Sequence, residues 1–222
     1  MVALEAAGHP RLGEDAGEVA GVGRLGLEIQ ANAGELAFDA LVDFSTPDGT
    51  AAWLDVCAAR SVAMVIGTTG HGPDERRLIE DAAARIPIVL APNLSVGANV
   101  LLKVAEDVAG VLARATPELD VGIVDVHHRG KRDAPSGTAL ALRDAVRAGH
   151  PGGDASIACL RLGTRPGDHA VHFGLPGETL SLSHSADSRV VFASGALRAA
   201  RWARGRAPGL YGMHDVLFGA DA

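Results

Sequence analysis

The densest concentration of chemically capable side chains runs from Asp125 to Thr138, as Asp-Val-His-His-Arg-Gly-Lys-Arg-Asp-Ala-Pro-Ser-Gly-Thr. It follows an apolar strand-like run and leads into a helix start at Ser136. A helix start offers free backbone N–H groups and a partial positive charge, so it attracts anions. Gly137 leaves the backbone open to close approach, Ser136 and Thr138 add hydroxyl donors, and His128 and Lys131 add positive charge nearby. Together these suit a small carboxylate or phosphate ligand. The plainer reading, that Ser136 is only an N-cap and the charges are a solvated loop, explains each residue singly but not their density. A zinc site at His127 and His128 is disfavoured. Adjacent residues on a strand point to opposite faces, and no third ligand stands at suitable spacing.

Two further loops deserve the same question. Gly67-Thr68-Thr69-Gly70 and Ala91-Pro92-Asn93-Leu94 each follow an apolar run. In an open α/β sheet, that edge of the strands forms the ligand crevice, although ordinary connecting turns occur there too. Arg189, Arg198, Arg201, Arg204 and Arg206 give a basic C-terminal stretch, read as a solvated helix face. Gly21 to Gly26 carries glycines at loosely suitable spacing for a phosphate loop, but no apolar strand leads into it and no helix follows.

The elements that must hold these residues are legible in outline. Apolar runs at 40–44, 62–66 and 86–90 alternate with helices over Thr50–Ala59 and from Pro73. Continuous apolar strands alternating with helices indicate a parallel sheet covered on both faces. A long helix spans Gly97–Arg114, with Val100, Leu101, Val104, Val108, Val111 and Leu112 at helical spacing. The pattern then changes to a strand at 120–126 and a helix from Ser136 to about Ala148. Strands at 156–162, 169–173 and 179–185 follow, then a helix over Gly195–Arg204. That second region reads as a more open, mixed sheet.

Composition narrows the function classes. The chain has 222 residues, 47% hydrophobic but only 4% aromatic, with 28 glycines and a net charge of −7. A general nucleic-acid binder would need a basic footprint. No run approaches ~18 apolar residues, so no membrane span is expected. Met1–Gly8 does not resemble a signal peptide. The two cysteines, Cys57 and Cys159, form no C-x-x-C pair and imply neither a disulfide framework nor a structural metal. A cytoplasmic protein is expected.

The stretch from His127 to Ala139, H-H-R-G-K-R-D-A-P-S-G-T-A, resembles the signature of the dihydrodipicolinate reductase family. Val42-Asp43-Phe44-Ser45, Gly67–Gly70, Ala91–Gly97 and Phe192–Ala196 match in the same order, so the resemblance covers nearly the whole chain. It implies an α/β fold: an N-terminally truncated Rossmann-type nucleotide-binding domain plus a mixed α/β substrate domain. The corresponding boundaries are 1–95, 96–189 for substrate binding and oligomerisation, and 190–222 returning to the first domain. It implies NADH or NADPH as cofactor, a cyclic dicarboxylate as substrate, and a homotetramer assembled through the substrate-domain sheets. His127 becomes a proton donor or acceptor and Lys131 the proton donor. His128, Gly137 and Thr138, with Ser136 from the helix start, hold the substrate carboxylates. Gly67, Thr68, Thr69, Ala91, Pro92, Asn93 and Leu94 meet the nicotinamide nucleotide, and Glu5 holds the adenosine ribose. The family's opening strand and Gly-rich loop have no counterpart before Met1, and His150–Asp154 is shorter than the family's loop there. A non-catalytic remnant, binding dicarboxylates or only oligomerising, is the alternative. A different amino-acid dehydrogenase on the same architecture is disfavoured by the signature.

Overall fold

The computed structural model describes residues 1–116 and 118–220. The chain opens with β1 (Ala3–Leu4), α1 (Ala16–Val19) and β2 (Ile29–Gln30), and β1 and β2 pair in parallel as a separate two-stranded sheet. Next come β3 (Ala40–Asp43), α2 (Pro47–Arg60), β4 (Ala63–Ile66), α3 (Pro73–Ala83) and β5 (Pro87–Leu90). Strands β3, β4 and β5 are parallel neighbours. Every residue of β4 is buried, because helices cover both faces of the sheet. On one face Ile66, Ile79, Ile88 and Cys57 pack together; on the other, Val65, Val89, Ala196 and Ala199 do.

Helix α4 (Val96–Ala115) leads to the second sheet. That sheet is built from β6 (Asp120–His127), β7 (Ala155–Arg161), β8 (Gly167–Leu175) and β9 (Glu178–Ala186), with α5 (Gly137–Gly149) packed beside α4. Its order is β7-β6-β8-β9, parallel between β6 and β7 and antiparallel elsewhere, which is the mixed sheet the sequence suggests. Gly149 lets the two helices close up: a Cβ there would sit 2.0 Å from the Glu106 carbonyl oxygen.

The chain then returns. Helix α6 (Val190–Ala203) packs on the first sheet, β10 (Gly209–Tyr211) pairs in parallel with β5, and α7 (Met213–Phe218) follows. Gly195 seats α6 directly on the Leu94 carbonyl oxygen, which a Cβ would approach to 1.7 Å.

The sequence reading needs correction at several ends. α2 starts at Pro47 rather than Thr50, because Thr46 caps it by accepting from the Gly49 N–H at 3.2 Å and Pro47 suits the first turn. α6 starts at Val190 rather than Gly195, without a side-chain cap to announce it. The short α1, β2, β10 and α7 were not anticipated. The glycine-rich run after Gly21 is a turn tied down by the Asp15 carboxylate, which accepts from the Leu25 and Leu27 N–H groups at 3.0 Å.

Candidate active site

Strand alternation builds the centre of the site. β6 turns Val121 and Ile123 into the core, and the same period carries Asp125 and His127 inward at the end of the strand. β8 runs antiparallel beside it and does the same in reverse, with Gly167 and His169 at the site end and Val171 and Phe173 in the core.

Asp125 is fully buried, and burial alone would raise its pKa. It is instead held down at about 2, because its carboxylate accepts from the Ser136 N–H at 2.9 Å and pairs with Arg161 at 3.0 Å. His127 Nδ1 lies 2.8 Å from its other oxygen, and His169 Nε2 lies 3.4 Å from the same atom. The His127 contact is not aligned as a hydrogen bond, so the carboxylate acts there through charge and proximity. The two imidazoles meet edge to face, 5.1 Å apart. Gly167 makes room for the first: a Cβ would lie 2.8 Å from His127 Nε2.

Both rings are kept neutral. Burial is the main cause, lowering the His127 pKa, with the Lys131 and Arg161 charges adding to it against Asp125. Burial and the neighbouring His127 lower His169 to about 4. Lys131, 23% exposed, pairs with Asp133 at 2.8 Å and keeps its ammonium at the rim.

The α5 start is capped by Ser136, as the plainer sequence reading expects. Ser136 is buried, accepts from the Ala139 N–H at 3.2 Å and lies 3.2 Å from His169 Nε2, so it caps the helix from within the cluster. Gly137 is exposed with open space above it. The Thr138 hydroxyl accepts from Asn93 Nδ2 at 2.9 Å, which joins the helix start to the loop after β5. Asn93 is itself fixed, accepting from the Ser95 N–H through Oδ1 and from Asn99 through its carbonyl.

A cleft of about 380 Å³ opens over this arrangement. His127, His128, Lys131, Ser136, Gly137 and Thr138 line one side, and Thr69, Pro92 and Asn93 the other. Gly67, Thr68, Ala91 and Leu94 lie beneath those loops and do not line it. Glu5 stands exposed after β1, apart from the cleft. Sequence reasoning passed over Asp125, Arg161, His169 and Gly167, and also His184, which lines the cleft from β9 beside Ser95. Asp125 had a signal, since it precedes His127 by two residues and shares its face. Gly167 and His169 repeat that spacing, but nothing local marks β8 as the neighbour of β6. Among the described residues, Asp125, His127 and His169 are near enough to one another to hold a metal ion, with both imidazoles facing Asp125 Oδ1 and Arg161 pairing with Oδ2.

Models of the N-terminus and C-terminus of dihydrodipicolinate reductase match residues 1–94 and 97–217. A 4-hydroxy-tetrahydrodipicolinate reductase from Magnetococcus marinus is 44% identical, across 97% of this chain and 87% of that protein. Among solved structures, a dipicolinate-bound dihydrodipicolinate reductase from a Paenisporosarcina species superposes with a TM-score of 0.72. It is 24% identical, with 98% of this chain and 89% of that one covered. A myo-inositol dehydrogenase from Corynebacterium glutamicum, 13% identical, reaches 0.51 over 99% and 85%. No helix is long and apolar enough to cross a membrane among the described residues.

Proposed function

The chain belongs to the dihydrodipicolinate reductase family, and from that membership we propose that it reduces 4-hydroxy-tetrahydrodipicolinate to tetrahydrodipicolinate in lysine and diaminopimelate biosynthesis. The nucleotide half comprises residues 1–95 and 190–222, and the substrate half 96–189. The observation that carries the reading is the Asn93–Thr138 hydrogen bond, which brings a strand-end loop of the first sheet against the anion-binding helix start of the second.

NADH or NADPH supplies a hydride, and the residues of this chain do the rest. The nucleotide fits at Thr69, Pro92 and Asn93, at the C-terminal edge of the parallel sheet where such ligands sit. Gly67 beneath them supports this fit, because its missing Cβ lets Phe44 and Leu94 close on the loop. The two substrate carboxylates take the α5 N–H groups at Gly137 and Thr138, the Thr138 hydroxyl, His128 and the Lys131 ammonium. These donors are fixed before binding, so they stabilise charge without reorganising. Lys131 delivers the proton as water leaves, and a positioned acid of this kind contributes about 10²–10⁴-fold. His127, neutral near pH 7, orients the substrate and exchanges a proton within the cleft.

A homotetramer joined through the second sheet is part of the same proposal. Its outer face is uncovered, with Leu160 49% exposed on β7. A non-catalytic role is not favoured, because the signature residues His127, His128, Lys131, Ser136, Gly137 and Thr138 all line one cleft.

The test follows nucleotide oxidation at 340 nm, with substrate generated in situ from pyruvate and aspartate semialdehyde. Oxidation that requires the dicarboxylate is expected with at least one of NADH and NADPH. Its absence with both removes the assignment.

A further inference from the structure

Asp43 has no part in the chemistry above, yet it is only 3% exposed. It ends β3 at the C-terminal edge of the first sheet. Its Oδ1 accepts from the Ser45 N–H at 3.0 Å and the Ser45 hydroxyl at 2.5 Å. Its Oδ2 accepts from the Thr50 hydroxyl at 2.5 Å and the Thr68 hydroxyl at 2.9 Å. The Thr68 oxygen in turn accepts from the Ser45 N–H at 2.9 Å. One carboxylate therefore ties the end of β3, the first turn of α2 and the loop after β4.

A buried carboxylate is tolerated only when its lone pairs are taken up. Here they are taken up by groups from three separate segments. Phe44 seats the same loop from its other side, since a Cβ on Gly67 would lie 2.3 Å from Phe44 Cε1 and 2.9 Å from Leu94 Cδ1. The Gly67–Thr69 backbone is thus held by a polar clasp through Thr68 and an apolar seat at Gly67.

We propose that Asp43 is a positioning residue for the nicotinamide nucleotide. It acts through Thr68 to fix the loop that presents Thr69 to the cleft, and touches neither cofactor nor substrate. The inference rests on the reading that Gly67-Thr68-Thr69 holds the nucleotide. The dicarboxylate side is anchored separately, through Asp125 and the Ser136 cap of α5, so damage at Asp43 falls on one ligand only.

The experiment uses the full chain with Asp43→Ala, Thr68→Val and Thr68→Ser. NADH and NADPH affinities are read by nucleotide fluorescence, and the affinity for pyridine-2,6-dicarboxylate, without nucleotide, by calorimetry. Thr68→Val should weaken the better nucleotide about tenfold, and Asp43→Ala by more, since each lost bond to a charged acceptor is worth roughly a factor of ten or more. Thr68→Ser, which keeps the hydroxyl, should restore wild-type affinity. Dicarboxylate affinity should stay within about twofold throughout, the spread expected of sites with no shared partner. If Asp43→Ala does not fold, Thr68→Val decides: selective loss of nucleotide supports the proposal, and unchanged affinity or equal loss of both ligands overturns it. If the wild-type chain binds neither nucleotide, the functional reading itself fails, which is a distinguishable result.

Discussion

Asp43 and Asp125 are both buried carboxylates near the ends of sheet strands, and both accept a backbone N–H. Their other neighbours differ. Asp43 meets the hydroxyls of Ser45, Thr50 and Thr68, whereas Asp125 meets a guanidinium and two imidazoles. Hydroxyls can orient a loop but do not titrate near neutral pH. Imidazoles do, and their protonation is set by burial and by the charges around them. The first cluster therefore holds geometry, and the second also governs protons. On the proposed reading, nucleotide binding needs only the former, while reduction of the cyclic dicarboxylate needs both.

The sharpest way to break this contrast is at Lys131. Lys131→Ala should lower kcat by about 10²–10⁴-fold while leaving the melting temperature nearly unchanged, because the side chain sits at the rim. Near-normal turnover would remove Lys131 from proton delivery and leave the second cluster without a donor.

Asp125→Asn probes the buried charge. It removes the carboxylate charge facing Arg161 and leaves that guanidinium only carbonyl acceptors, and breaking such a pair costs about 3–5 kcal/mol. Chemical denaturation should show that loss, and the double variant Asp125→Asn/Arg161→Met should recover part of it. No recovery would mean that the ion pair is not what holds the cluster.

The imidazoles should make the second cluster acid-sensitive. His169 has its folded pKa lowered to about 4 from 6.5, so the unfolded chain takes up protons first as pH falls. Its contribution is intact above about 6.5 and is lost on the way to 4, amounting to ~3 kcal/mol. Asp125, lowered to about 2 from 3.8, adds a further loss below that range. Denaturation free energies between pH 7 and 4 should decline in the wild-type chain and flatten in His169→Asn. An equally steep decline in the variant would place the acid sensitivity elsewhere.

The smallest effect belongs to the first cluster. Ser45→Ala removes one hydroxyl from Asp43 and should cost about 1 kcal/mol, equally at pH 7 and pH 5. A marked pH dependence of that cost would erase the distinction between the two carboxylates.

Much of the site was legible because its residues are contiguous. The run from His127 to Thr138 carries its own ligand chemistry, and the β3–α2–β4–α3–β5 alternation is written in apolar runs broken by Gly and Pro. What escaped depends on pairing across distance. His169 and Gly167 reach the site only because β8 lies antiparallel to β6, a register set by the whole sheet rather than by neighbours in sequence. Arg161 arrives from β7 in the same way. Asp43 stood in a matched motif, Val-Asp-Phe-Ser, yet its role depends on Thr50 and Thr68, which are 7 and 25 residues away. β10 was missed because three residues cannot display a period.

The return of the chain to its first sheet also sets an order of events on the ribosome. β5 ends at Leu90, but the strand that covers its free edge begins at Gly209. The helix that roofs the Leu94 turn arrives only with Gly195. At ordinary translation speeds of roughly 5–20 residues per second, that edge waits on the order of ten seconds, unpaired and fully apolar. An uncovered strand is a template for a neighbouring chain. The intervening sheet draws all its strands from 120–186 and completes itself during the wait. The nascent protein thus passes through a stage with a finished second sheet and an open first one. Crowded polysomes at that stage are where this chain is most exposed to aggregation.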